Sequence, residues 1–266
     1  MVVLNYFRSI FASTNPTPEA VDEVSKVRGT PSHHAMNESL TQHFTSEEVF
    51  HALKQMHPLK SPGPDGMSPS FFQKYWSIVG TDVCATVLDF LNNGSLDPLI
   101  NFTHIVLIPK CPSPSDMSQF RPISLCNVIY KFASKVLANR VKPLLDAIVS
   151  PSQAAFVLGR LITDNVLVAY ELNQLLKLKT KGKHGFMSLK LDVSKAYDRV
   201  EWSFLERVLL RLGFHQRFVS LVMMCVTSVS FSFLLNGHSF VFSSRNEDPS
   251  RGSFVSVSFS LVCRSL

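Results

Sequence analysis

The chain has 266 residues, of which 45% are apolar, 17% charged and 11% aromatic, with 11 Gly and 15 Pro. That composition excludes disordered, collagenous and low-complexity classes and leaves enough apolar mass for one large domain or two small ones. The formal net charge is +6 and its excess is concentrated: residues 101–145 carry six Lys/Arg against one acid, and residues 171–215 carry nine against five. Two basic blocks on a near-neutral background point to a polyanionic partner, nucleic acid before membrane.

Residues 1–44 are rich in Pro, Ser, Thr and His without sustained periodicity and read as a connecting arm. They carry no basic start followed by an apolar run and a small-residue cleavage site, so secretion is not expected and the chain is assigned to the nucleus or cytoplasm. Thr45-Ser46-Glu47-Glu48 has the form of a capping box, and Val49, Leu53 and Met56 mark one face of the helix it opens. The run Pro58 to Gly66 admits neither helix nor strand, but its three prolines and two glycines make it a stiff loop. Helices are predicted over 69–79 and 81–92.

Residues 104–109, His-Ile-Val-Leu-Ile-Pro, read as a buried strand. A turn-rich stretch from Cys111 to Ser118 then leads to Phe120-Arg121-Pro122-Ile123-Ser124-Leu125. Apolar spacing at Ile129, Phe132, Val136 and Leu137 predicts a helix within 126–147, decorated by Lys131, Lys135 and Lys142. A further helix is predicted over 163–178, a basic turn over Lys177–Lys183, and a strand over Phe186–Leu191 that ends on Asp192. Residues 201–212 form an amphipathic helix stopped by Gly213.

Phe218 to Leu235 is an uncharged run of 18 residues, just long enough to be weighed as a membrane span. Its polar residues, the Ser/Phe alternation of its second half and the Asn236-Gly237 turn signal read instead as a buried helix and a hairpin. Cys225, Met223 and Met224 are assigned to the core. The five cysteines are scattered, odd in number and without a Cys-x-x-Cys pair, which predicts neither disulfide partners nor a zinc site.

The sharpest local feature is Leu189-Lys190-Leu191-Asp192-Val193-Ser194-Lys195-Ala196-Tyr197-Asp198. A carboxylate at a strand end, where a turn follows, is placed to offer oxygen donors to a hard cation that also holds phosphates. On spacing alone, the commoner reading of such an Asp is a helix cap or turn residue. Lys110 and Arg121 read equally well as surface cations, and Asp198 as a partner for Arg199 or Lys195.

Five segments in order then carry a resemblance: Leu59 to Gly66, Ile108-Pro109-Lys110, Phe120 to Leu125, Ala155 to Asn165, and Asp192 to Asp198. Together they make the chain similar, over roughly residues 40–240, to the reverse transcriptase region of LINE-class non-LTR retrotransposons, particularly the plant type. The resemblance implies an α+β right-hand polymerase, with fingers and the first part of the palm over 45–242 and an incomplete sheet. It implies Asp192 as the first aspartate on Mg²⁺, Val193 lending a carbonyl beside it, and Tyr197 against the sugar of the incoming dNTP. By the same analogy Lys110 and Arg121 hold the triphosphate. Lys60, Ser61, Gly63 and Arg160, with Lys131 and Lys135, lie along the RNA template and DNA primer.

The chain also departs from that family. Two-metal nucleotidyl transfer needs more than one carboxylate, and the family supplies the others from an aromatic-Ala-Asp-Asp turn; this sequence has no Asp-Asp pair. Glu47-Glu48 lies in a helix cap, and Glu247-Asp248 lacks flanking strands. Residues 243–266 do not match the family's Arg-Gln-Gly-Asp-Pro-Leu-Ser-Pro segment. Codons permitted for Arg251 onward, read one nucleotide forward, can spell Gly-Asp-Pro-Leu-Ser-Pro-Tyr-Leu-Phe, which does. The expectation is therefore an out-of-frame tail beginning between about Phe242 and Arg251, and a truncated polymerase without activity. The alternatives are a residual nucleic-acid-binding module and a remnant that misfolds through an open, apolar strand edge.

Overall fold

A computed structural model describes residues 2–11, 15–24, 34–154, 157, 159–179, 185–191 and 200–242. The architecture is α+β, with an open four-stranded sheet beside a helical layer.

The stretch read as an arm contains three helices, α1 (Val2–Phe11), α2 (Pro18–Val24) and α3 (His34–Thr41). Each is anchored by contacts that short-range periodicity cannot reveal. Phe7 stacks on Phe233 at 4.9 Å, Asp22 accepts from both Arg207 and Arg211, and Leu40 and Phe44 enter the main core.

Helix α4 (Ser46–Lys54) opens on the expected capping box. Thr45 Oγ1 accepts from the Glu48 amide, and a Glu48 carboxylate oxygen accepts from the Thr45 amide at 2.9 Å. Val49, Leu53 and Met56 are buried as their spacing requires. Helices α5 (Pro69–Lys74) and α6 (Trp76–Asn93) divide at Tyr75 rather than at Gly80, where the sequence reading left the gap. Gly80 lies inside α6, and a Cβ there would come within 2.8 Å of the Trp76 ring; it permits close packing and ends nothing.

Strand β1 (Phe102–Pro109) pairs antiparallel with β2 (Phe120–Cys126) through the turn-rich connection. The helix expected within 126–147 is α7 (Val128–Val141), continued by a 3-10 turn over Lys142–Leu144 and by α8 (Leu145–Ile148). Helix α9 (Ile162–Leu178) matches its expected span but has no buried residue. Residues 185–191 form no strand. Phe186, Met187, Leu189 and Leu191 have the right apolar character but stay exposed, because a strand exists only where a neighbour completes its ladder.

Helix α10 (Trp202–Arg211) ends in a Schellman motif: Gly213 at φ 83° donates to Leu210 and Phe214 donates to Leu209. The long uncharged run is helix α11 (Gln216–Thr227) followed by strand β3 (Ser230–Leu235). Asn236 and Gly237, at φ 50° and 81°, then turn the chain into β4 (His238–Phe242). No helix among the described residues is long and apolar enough to cross a membrane. The strand order is β2-β1-β3-β4, with β1 and β3 parallel. The main core gathers Phe72, Phe90, Tyr130, Phe132 and Phe218 from α5, α6, α7 and α11, and Cys225 lies fully within it. A second cluster sets Phe7 of α1 against Ile105, Phe231 and Phe233 of the sheet.

Candidate nucleic-acid interface

The proline-rich loop is ordered by its own turns. Gly66 donates to the Gly63 carbonyl at 3.0 Å, and the Asp65 carboxylate accepts from the Met67 amide at 3.0 Å. It is then strapped to the start of α7. Asn127 accepts from the Asp65 amide and donates to the carbonyls of Leu99 and Ile100. A Cβ on Gly63 would lie 2.4 Å from the Asn127 amide nitrogen, so only glycine allows this approach. Lys131 completes the strap, its ammonium donating to the Ser61 carbonyl at 2.9 Å. Lys60, Ser61, Gly63 and Lys131 therefore meet in one place.

On α7 the residues facing the core include Phe132, Ala133, Val136, Leu137 and Ala138, all buried. The partly exposed positions Lys131, Lys135, Asn139 and Lys142 follow one another at intervals of four, four and three, which is one stripe of a helix. Burial holds the Lys131 ammonium below its ordinary pKa, the Cys126 side opposing; Lys60 adds to the lowering and Asp65 resists it. Lys135 is lowered first by burial and then by the like charges of Lys142 and Lys60. Lys60 thus lies within electrostatic reach of Lys131 and Lys135, and Lys142 of Lys135, with Asp65 acting on Lys131.

Lys110 and Arg121 come together on the sheet. The register pairs Ile108 with Arg121, and the Lys110 amide donates to Gln119 across the same pair of strands. Period-two alternation puts Lys110, Ile108, Arg121 and Ile123 on one open face, the two cations as diagonal neighbours. Thr103 and Ile105 lie on the opposite, buried face. The Lys110 ammonium folds back onto the Ser118 carbonyl at 2.7 Å, while Arg121 is exposed.

Arg160 does not join either group. Its guanidinium donates to the carbonyls of Ser150, Gln153 and Val149 and to the Asp146 carboxylate, tying the turn after α8. Asp192, Val193, Tyr197 and Asp198 lie outside the described residues, as does the tail 243–266. Among the described residues no group of three or more His, Cys, Asp or Glu side chains could hold a metal ion.

Two residues that position this surface, Asn127 and Arg140, were not named from sequence, and Lys142 was named only as a lysine on the helix. Asn127 is signalled only by its place between a strand and a helix. Lys142 continues the α7 stripe past the helix end, where a cation also suits the helix dipole. Arg140 lies beneath the surface: it bonds both Glu48 oxygens and the carbonyls of Leu40, Gln42 and His43, and covers the Phe44 ring at 3.5 Å.

With this geometry in place, comparison with known proteins is informative. The family profile described as reverse transcriptase (RNA-dependent DNA polymerase) matches residues 108–250. The uncharacterized 149 kDa protein of transposon TX1 from Xenopus laevis is 29% identical over 215 residues, which is 81% of this chain and 16% of that protein. The retrovirus-related Pol polyprotein of a type-1 R2 element from Nasonia vitripennis is 28% identical over 153 residues, 56% of this chain and 14% of that protein. That of the type-2 element R2DM from Drosophila melanogaster is 28% identical over 162 residues, 61% and 15%. The chain spans less than a fifth of the length of these relatives. They are animal sequences and bear on the non-LTR class, not on the plant subtype.

Proposed function

The chain belongs to the reverse transcriptase (RNA-dependent DNA polymerase) family, with relatives in non-LTR retroelements, and on that premise we propose that it is the fingers and first palm portion of such a polymerase. In this reading it grips RNA template and DNA primer through the loop and the α7 lysines, and is catalytically silent as its sequence stands. Lys110 and Arg121 are assigned to the triphosphate of an incoming dNTP, Tyr197 to its sugar, and Asp192 with the Val193 carbonyl to a divalent cation. Residues 45–242 form the polymerase part, preceded by the 1–44 region and followed by a tail that passes out of frame between about Phe242 and Arg251.

The observation that carries this reading is the joining of separate family segments into two continuous basic surfaces. The loop at Lys60–Gly63 meets Lys131, and Lys110 follows β1 two residues after Ile108, which pairs with Arg121 across the β1–β2 ladder. Lys and Arg suit these roles as a point charge and a forked donor for phosphate oxygens. The silent reading is supported by one feature of these 266 residues: they hold no Asp-Asp pair to share two cations with Asp192.

Primer extension on an RNA template with Mg²⁺ tests the chemistry, with no product expected. A companion protein, in which the reading frame is restored beyond Phe242 from the genomic sequence, is expected to extend the primer and to lose that activity in Asp192→Asn. Extension by the present chain would overturn the silent reading. A second reading, a nucleic-acid-binding module without chemistry, is favoured by the strapped lysine surface alone. Binding in a salt-dependent gel shift without extension from the restored frame would select it.

A further inference from the structure

Strand β4 ends the strand order β2-β1-β3-β4, and among the described residues it has a partner on one side only. Its ladder with β3 closes on a two-residue turn, with Leu235 opposite His238. The alternation of an antiparallel pair therefore turns the amides of His238 and Phe240 toward β3 and those of Ser239 and Val241 outward. The register also builds an apolar row across the sheet, from Ile105 to Phe233 to Phe240. Phe233 is fully buried and stacks on Phe7 of α1, whereas Phe240 is 46% exposed and Val241 67%. The row stops one strand short, and an open edge of this kind is a pairing site.

The sequence that follows carries a matching pattern. In residues 253–261, Val255, Val257, Phe259 and Leu261 alternate with Ser256, Ser258 and Ser260. That is the period of a strand with one apolar and one polar face, and it repeats the Ser/Phe alternation of β3. No charge, Gly or Pro falls between Ser253 and Cys263. The ten intervening residues, Ser243 to Gly252, include Asn246, Pro249 and Gly252, and a loop of that length brings a chain back on itself at small entropic cost.

We propose that residues 253–261 add to the free edge of β4 as a fifth, antiparallel strand of the same chain, with Val257 beside Phe240. This facing puts Val255, Val257 and Phe259 on the α1 side of the sheet. It turns the Ser256 and Ser258 amides toward β4 and the Val257 amide away from it. The occupant is this chain's own tail because ten residues join the two segments, so pairing needs no association step. Glu247 and Asp248, left without flanking strands in the sequence reading, then lie in the middle of a connecting loop rather than at a tight turn. The proposal concerns the segment by which the chain departs from its family, and it stands apart from whether the remainder binds nucleic acid.

The test is hydrogen–deuterium exchange of the purified full chain, resolved to single amides by electron-transfer fragmentation. Ser239 and Val241 are expected to exchange at least about tenfold more slowly than unbonded amides, as ladder amides do. Ser256→Pro with Ser258→Pro removes the two donors that face β4. It is expected to abolish that slowing and to leave His238 and Phe240, which donate to β3, as in wild type. Val257→Pro removes a donor that faces away and is expected to keep the slowing. Wild-type Ser239 and Val241 that exchange as fast as unbonded amides overturn the fifth strand, and this arm decides alone if a variant fails to fold. Unchanged slowing in the double proline variant overturns it too, as does an equal loss in Val257→Pro. Slowing that rises with protein concentration assigns the edge to a second copy of the chain and overturns pairing within one.

Discussion

Gly63 and Arg140 carry more of the candidate surface than their exposure suggests, and they act in opposite ways. At Gly63 it is the absence of a side chain that matters: the loop can lie against Asn127 because no Cβ intrudes. Gly63→Ala is expected to cost about 1–3 kcal/mol by overpacking against backbone that cannot yield, read as a lower urea midpoint. It should also weaken nucleic-acid binding by moving Lys60 and Ser61 away from α7. An unchanged midpoint would show that the strap is not close-packed. At Arg140 it is the number of donors that matters. Arg140→Ala leaves Glu48 and three carbonyls without that partner, and is expected to cost about 2 kcal/mol, below the range for fully buried pairs because Glu48 is partly exposed.

The same pair predicts a pH dependence. Burial pushes the Glu48 carboxyl upward, but bonds from Arg140 and from the Thr45 backbone outweigh it and hold the group below its ordinary value of 4.5. A carboxyl depressed in the folded state contributes stability that is present above the unfolded value and is lost as pH falls through the folded one. The difference in urea midpoint between wild type and Arg140→Ala should therefore be full at pH 7 and narrow below about pH 4.5. A gap that widens in acid would place the stabilisation elsewhere.

At the scale of elements, the strongest local signal makes the clearest prediction. Gly213 sits at φ 83°, and its carbonyl accepts from Asn37 of α3 at 2.7 Å while the His215 amide donates to the same side chain at 2.8 Å. The helix stop is thus also the joint between α3, α10 and α11. Gly213→Ala is expected to cost about 1–2 kcal/mol, measured by thermal unfolding, whereas Asn37→Ala should cost a similar amount while leaving the left-handed stop at Gly213 unstrained. If only the glycine variant is weakened, the joint contributes nothing.

The features legible in sequence share this local character. The Thr45 capping box, Gly213 and Asn236-Gly237 each specify backbone within four residues of themselves, and each is where the sequence placed it. What was illegible depended on distant partners. Helices α1 to α3 are short and find their partners far along the chain, in Phe233, Arg207 and the main core. Residues 186–191 have strand composition without a strand beside them. The candidate site divides in the same way. Lys60, Ser61, Gly63 and Lys131 could be named from sequence, and one turn of helix and one loop bring them together. Arg160 was named with them but does not join them, because the carbonyls it binds belong to a turn that no pattern announces.

At the scale of the molecule, α9 is the element least accounted for by its surroundings. Leu161, Ile162, Val166, Leu167, Tyr170, Leu172, Leu175 and Leu178 are all exposed. A helix apolar on every side is normally buried, and an exposed apolar surface of this extent promotes association. The net charge of +6 opposes this only at long range and is screened beyond about 8 Å at physiological salt. The purified chain is therefore expected to grow in apparent mass with concentration in light scattering, more so at high salt. Val166→Lys with Leu175→Lys should suppress that growth and leave the urea midpoint within about 0.5 kcal/mol of wild type, because neither side chain contributes to the core. A large loss of stability in the double variant would instead mean that α9 is covered in solution by the chain's own residues, and that its apolar surface is part of the core.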